Sequence, residues 1–366
     1  MDSSYIKNYI MNGSVTIGNP GFLLLKISGK TPIFSRRVLI PETFLIELEK
    51  AMTLRGPDAQ KALYSAGKRF GYAYAILGGF MTVKDKQDQD LLNYIDLVNK
   101  QIAGTYAKNI DFNIDFTRNV CTYDLKNFVI IERLGFGYFL PLGSAAGLIS
   151  YILQDKTIEG IVEESDVDNG TARLTYAPSK YLDEMGKRFF HESELTGLEP
   201  SLEYIKFNEL RQLKYSDYSL KKLIDAGIFV LEDGILISNN ERYFMIDSDG
   251  FYLLELGLKQ YAKEVYYAAF TAGVRILGNV KNPQNKTIID YLSAFGWGDV
   301  TIMEANKKYV INVDYFPYTK FYNDIDYGMF SGMLSGMISC VAKRKIGFKQ
   351  IKKTISNGYL SVSLFE

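Results

Sequence analysis

Chemistry needs side chains that move protons, attack or ligate, and this sequence supplies few of them. Its one histidine, His191, lies in Phe189-Phe190-His191-Glu192, and its only cysteines are Cys121 and Cys340. A lone His can serve as a general base, but no Ser or Cys nucleophile signature accompanies this one. One imidazole and two thiols cannot build a zinc site that needs several His or Cys ligands. A single conceivable bridge in 366 residues is no disulfide framework either. Gly135-Phe136-Gly137 lacks the Lys-Ser/Thr of a phosphate loop. No catalytic residue, cofactor or metal is therefore assigned, and the chain is read as a non-enzyme.

The remaining candidates are binding groups. Phe295, Trp297, Tyr315, Phe316 and Tyr318 form an aromatic set of the kind that lines apolar pockets, and equally of the kind that fills any core. Arg69 and Arg275 each follow a glycine by two residues on a repeated segment; they suit an acidic ligand group or a structural carboxylate. Lys343, Arg344, Lys345, Lys349, Lys352 and Lys353 make a basic run, whose start fits a helix C-terminus. A solvated face is preferred there to a nucleic-acid or acidic-partner surface. Overall, 42 Lys and Arg balance 42 Asp and Glu, so a globally basic nucleic-acid glove is excluded.

The elements that must position these groups come in two copies. Ala62-Leu-Tyr-Ser-Ala-Gly67-Lys-Arg69 matches Ala268-Ala-Phe-Thr-Ala-Gly273-Val-Arg275 at a spacing of 206, as Val38-Leu39-Ile40 matches Phe244-Met245-Ile246. No gap is needed between these two blocks. Tyr138-x4-Gly143-x3-Gly147 then matches Tyr327-x4-Gly332-x3-Gly336 at 189, and Asn169-Gly170 matches Asn357-Gly358 at 188.

Periodicity predicts a strand over 22–27, a helix over 42–53 and a second helix carrying 62–74, with Asp58 as its cap. The second copy repeats the helices over 251–260 and 264–277. Alternating Ile110, Phe112, Ile114 and Phe116 predict a half-buried strand. Asp299–Met303 and Tyr309–Tyr315 predict a hairpin, and Asn169-Gly170 predicts a tight turn in which both residues take positive φ. Gly143/Gly147 and Gly332/Gly336 lie one turn apart on a helix, open to a ligand or, preferably, to close helix packing.

Helix pair, antiparallel meander, Gly-rich helix and closing hairpin, in that order, resemble the 4-vinyl-reductase, or hydrocarbon-binding, domain family. The second copy gives the clearer version, in Leu292-Ser-Ala-Phe-Gly-Trp-Gly298, Asp314-Tyr-Phe-Pro317 and the Gly332/Gly336 helix. The resemblance implies an α+β fold, similar to that of the small core subunits of the TRAPP tethering complex, and sensing of a small apolar ligand. Many members close on a zinc-holding Glu and two Cys. Here the corresponding positions are Glu163, Asp166 and Leu174 in one copy and Ile351, Thr354 and Val362 in the other, so zinc is not expected.

The reading is thus two degenerate tandem domains, 1–180 and 228–366, joined by a helical connector, 181–227, as a pseudo-dimer in a monomer or as a homodimer. A small hydrophobic ligand or a protein partner is expected, with an adaptor role as the alternative and a reductase accessory role less favoured. The uncharged run Leu134–Gln154 contains Pro141 and four glycines, so it is read as a buried helix rather than a membrane span. The amino terminus carries no basic-then-apolar leader, which points to the cytoplasm. Scarce Cys and His with many Tyr, Ile and Lys give an archaeal-like, thermophile-like composition.

Overall fold

The computed structural model describes residues 15–27, 33–77, 80–83, 89–96, 107, 109–135, 137–192, 195, 213–232, 235–305, 308–318, 325–347, 354–356 and 359–365. The fold is mixed α+β. Two compact units divide it, one mainly Glu49–Ser201 and the other Ile6–Leu48, Leu202–Glu255 and Lys259–Glu366. This division does not fall at the sequence boundaries near 180 and 228. Strands before Glu49 belong to the second unit because of how they pair.

That pairing forms a six-stranded antiparallel sheet in the second unit. Its order is β1 (Val15–Thr16), β2 (Leu23–Ile27), β3 (Ile33–Pro41), β10 (Glu241–Asp247), β9 (Ile235–Ser238) and β8 (Val230–Glu232). At its centre Leu39 faces Met245, with Val38 opposite Ile246 and Ile40 opposite Phe244. Under the 206-residue spacing Leu39 and Met245 are counterparts, so the ladder is symmetric about that pair. Val38, Leu39, Ile40 and Phe244 are buried, so both faces of this part of the sheet are covered. Asn239 and Asn240, both at positive φ, make the two-residue turn between β9 and β10.

The first unit builds on α2 (Pro57–Leu77), which follows the end of α1 (Glu42–Arg55). Proline opens α2 and Asp58 lies in its first turn rather than capping it. Strands β4 (Asn109–Asp115), β5 (Val120–Lys126), β6 (Ile158–Asp166) and β7 (Thr171–Pro178) form a sheet in the order β4-β5-β7-β6. Between its two hairpins run the short α3 (Val129–Leu134) and the glycine-bearing α4 (Phe139–Ile152). A further short helix, α5 (Ser179–Glu184), follows β7. The closing turn differs from the two-residue form: Asp166 pairs with Thr171, and of the residues between only Gly170 takes positive φ. Asp166 accepts from the Asp168 and Asn169 backbones, so its carboxylate replaces what a second positive-φ residue would supply.

The second unit repeats this plan after α6 (Leu220–Asp225). Helices α7 (Ser248–Gly257), all but its end, and α8 (Ala262–Leu277) are followed by α9 (Asn285–Ala294). Then come β11 (Asp299–Ala305), β12 (Lys308–Asp314), α10 (Gly328–Ala342), β13 (Thr354–Ser356) and β14 (Tyr359–Phe365). The sheet order is β11-β12-β14-β13, matching the first unit. The tips at 306–307 and at Asn357-Gly358 lie outside the described residues, as do 193–194 and 196–212 of the connector and Lys349, Lys352 and Lys353. Among the described residues no helix is long and apolar enough to cross a membrane.

Candidate binding groove

The glycine helices settle how each unit is locked. A Cβ on Gly143 or Gly147 would stand 2.1 or 1.9 Å from the Tyr64 or Lys68 carbonyl oxygen of α2. On α10, Gly332 and Gly336 meet the Tyr266 and Phe270 carbonyls of α8 at 2.3 and 2.1 Å. No side chain fits, so these four glycines serve helix-to-helix contact and leave no room for a ligand. Gly71 against Ser144 and Gly273 against Met333 close the contact from the other side.

These contacts also correct the sequence register. Tyr64 pairs with Tyr266, Lys68 with Phe270 and Gly71 with Gly273 as structural counterparts, each 202 apart. The 206 spacing holds through β3, β10 and the starts of α1 and α7, then loses four residues, one helical turn, before α8. Arg69 and Arg275 are therefore not counterparts. Each meets a carboxylate: Arg69 lies 3.3 Å from Glu192 and Arg275 lies 3.1 Å from Glu241.

Buried glutamates cap both glycine helices. Tyr138 and Tyr327 enter them with positive φ, leaving the first N–H groups to an outside acceptor. Glu49 accepts from Leu140 N at 2.8 Å and Phe139 N at 3.2 Å; Glu255, 206 residues on, accepts from Gly328 N at 2.7 Å and Tyr318 Oη at 3.2 Å. Burial pushes each carboxyl up to about 7, opposed by these N–H donors. No sequence signal marked the two acids, because each caps a helix far away in the chain.

Of the aromatic set named from sequence, Phe295, Trp297, Phe316 and Tyr318 lie in the core and Tyr315 is half-buried. Trp297, Phe316, Tyr318, Tyr327 and Phe330 are buried against one another, with Trp297 and Phe330 centroids 5.2 Å apart. Phe295 joins a second cluster with Phe229, Tyr243 and Tyr291, and Tyr315 packs on Phe22. Gly296 and Gly298 thread the backbone between, where Cβ atoms would meet the Arg37 and Asp314 carbonyls at 2.5 and 2.4 Å. In the closing hairpin Leu174 is buried, Glu163 half-buried and Asp166 exposed, and the neighbouring Asn169 side chain holds Asp166 below the usual carboxylate range. Among the described residues no three His, Cys, Asp or Glu cluster as metal ligands.

A cavity lies elsewhere in the second unit, on the outer face of α8 and α10. This groove of about 370 Å³ is lined by Ala262, Lys263, Tyr266, Tyr267, Phe270, Asp326, Gly328, Ser331, Lys345, Ile346 and Gly347. Lys345 Nζ sits 5.9 Å from both the Tyr267 and Phe270 rings, and Lys263 Nζ sits 5.9 Å from Tyr267. Rings of this kind attract a cation through their negative faces. Among the described residues neither ammonium pairs with a carboxylate. Among the described residues of the basic run Lys345 lines the groove, and Lys343 forms the C-cap of α10.

The equivalent face of the first unit is filled. Phe190 packs on Tyr64 and Phe139, both at 5.6 Å between centroids. Lys68 and Glu159, wholly buried, form an ion pair at 2.7 Å. Tyr64 Oη donates to Glu159 at 2.7 Å, Lys68 Nζ donates to the Glu192 carbonyl at 3.0 Å, and Glu192 N donates to Glu159 at 2.9 Å. Burial lowers the Lys68 ammonium and raises the Glu159 carboxyl, while their mutual attraction resists both shifts. His191 lies half-exposed at the rim, 3.6 Å from Glu159. The cluster ties the segment after α5 onto α2 and β6.

No protein-family model matches the chain, and no curated protein matches it in sequence.

Proposed function

We propose that this chain is a non-enzymatic recognition protein, made of two degenerate copies of one α+β domain, whose binding site is the aromatic groove of the second unit. The duplication rests on the repeated blocks, the twin buried glutamates, the same strand order in both four-stranded sheets, and the ladder symmetric about Leu39 and Met245. The resemblance to 4-vinyl-reductase domains belongs to this proposal and supplies its first expectation, a small apolar ligand. A groove of about 370 Å³ is of ligand size.

The observation that carries the proposal is the open aromatic face of Tyr266, Tyr267 and Phe270, where the first unit has none to spare. A second reading, recognition of a protein partner, is favoured by one fact: the first unit covers its own equivalent face with chain, at Phe190. A photo-crosslinking amino acid at position 267, which is 47% exposed, tests both. Small-molecule or polypeptide adducts identified by mass spectrometry support recognition at the groove. Absence of any adduct under conditions that label a control surface position counts against it.

A further inference from the structure

We infer that the groove of the second unit is a docking site for an extended peptide carrying an aromatic residue followed, two positions later, by an acid, and that the first unit holds an internal copy of that peptide. The inference rests on the partner reading above.

Position-by-position comparison carries the argument. Tyr64 corresponds to Tyr266 and Lys68 to Phe270 through the helix contacts. Phe139 corresponds to Gly328 at the 189 spacing that Gly143/Gly332 and Gly147/Gly336 share. Every second-unit counterpart named here lines the groove. In the first unit the same positions receive Phe190 and Glu192. The Phe190 ring rests on Tyr64 and Phe139, the Glu192 backbone is gripped by Lys68 and Glu159, and Arg69 lies 3.3 Å from its carboxylate.

The second unit keeps the aromatic wall at Tyr266 and discards the groups that seal the face. Phe270 stands where Lys68 was, and Gly328 stands where Phe139 was, leaving its volume empty. Thr271 replaces Arg69 as the counterpart in the helix, so the cation for an incoming acid must come from elsewhere. Lys263 and Lys345 supply it, held over the rings and unmatched by an acid among the described residues. Asp326 also lines the groove and disfavours a strongly acidic ligand, which argues for a single acid beside one ring.

The test uses the full chain and three capped peptides: one with the sequence of residues 189–192, one with its Glu replaced by Gln, and one with both Phe replaced by Ala. Backbone and side-chain chemical shifts report the contact. Expected are shifts centred on Lys263, Tyr266, Tyr267, Phe270 and Lys345 with the first peptide. Binding should weaken roughly three-fold with Gln, as for an exposed ion pair, and vanish with Ala. In Lys263→Met/Lys345→Met protein the Glu and Gln peptides should bind alike. Equal binding of Glu and Gln peptides to the unaltered chain, or shifts elsewhere, overturns the inference. Small-molecule adducts alone at position 267, with no peptide binding, overturn it while leaving groove recognition standing. No adduct and no binding remove both.

Discussion

The two units solve one packing problem alike and a second one differently. In both, a glycine helix lies against the second helix of a pair so closely that carbonyl oxygens take the space of side chains, and a buried glutamate caps its start. On the outer face of that helix pair they diverge. The first unit seals the face with a buried ion pair and an aromatic residue of its own chain; the second leaves it as an aromatic groove with two lysines. Shared between the units is the helix lock and its cap, and different is how the outer face is covered.

The comparison breaks first at the glycines. Gly147→Leu and Gly336→Leu should each cost about 3 kcal/mol or more, since a side chain is driven into backbone on a helix that cannot retreat. Thermal unfolding of each variant checks it, and a small loss in either would deny the shared lock.

Next in size is the ion pair found in the first unit alone. Lys68→Met leaves Glu159 buried without its cation and should cost about 3–5 kcal/mol at neutral pH. The double change Lys68→Met/Glu159→Leu should recover most of that loss, because two apolar groups need no partner. Denaturant unfolding of the single and double variants gives the coupling directly. A double variant as weak as the single one would mean that the Tyr64 and Glu192 contacts to Glu159 matter more than the pair.

The capping acids come third. Each has a carboxyl near 7 in the folded chain, above its usual 4.5 when unfolded. The folded state then binds more protons between those values, so this contribution to stability is full below about 4.5 and is lost as pH rises through 7. Glu49→Gln and Glu255→Gln should each flatten the pH dependence between 5 and 8. The two effects should be similar, measured as the change in unfolding midpoint with pH. A response in one variant alone would show that the two caps are not equivalent.

Arg69→Ala and Arg275→Ala should have the smallest effects, under about 1 kcal/mol each, since the Arg69 side chain is 36% and the Arg275 side chain 55% exposed, so solvent screens both ion pairs. A larger loss for Arg275 would trace to Glu241, which is buried and also accepts from Thr43 at the start of α1.

Much of the local structure was legible in the chain. Alternating Ile110, Phe112 and Ile114 marked β4, and the spacing of Phe44, Leu45, Leu48 and Met52 marked α1, because periodicity follows directly from which side is buried. The glycine blocks gave the repeat and the preferred reading of helix contact. The register between the helices was misjudged by one turn, since a similar string of small residues recurs every four positions along a packed helix. The groove was not legible. Phe295, Trp297 and Phe316 carry the same composition as a pocket wall but fill a core, whereas Tyr266, Tyr267 and Phe270 line a groove without any distinguishing motif.

By itself the sequence determined that His- and Cys-based chemistry is scarce, that similar residue blocks recur in the same order, and where several strands and helices form. Those properties depend on residue identity and on spacings of a few positions. Tertiary structure decided the rest. It joined strands from both copies into one sheet through β3 and β10, buried Lys68 against Glu159 across 91 residues, and left the matching face of the second unit open. Which face is sealed depends on what long-range neighbours occupy it, and no local pattern encodes that.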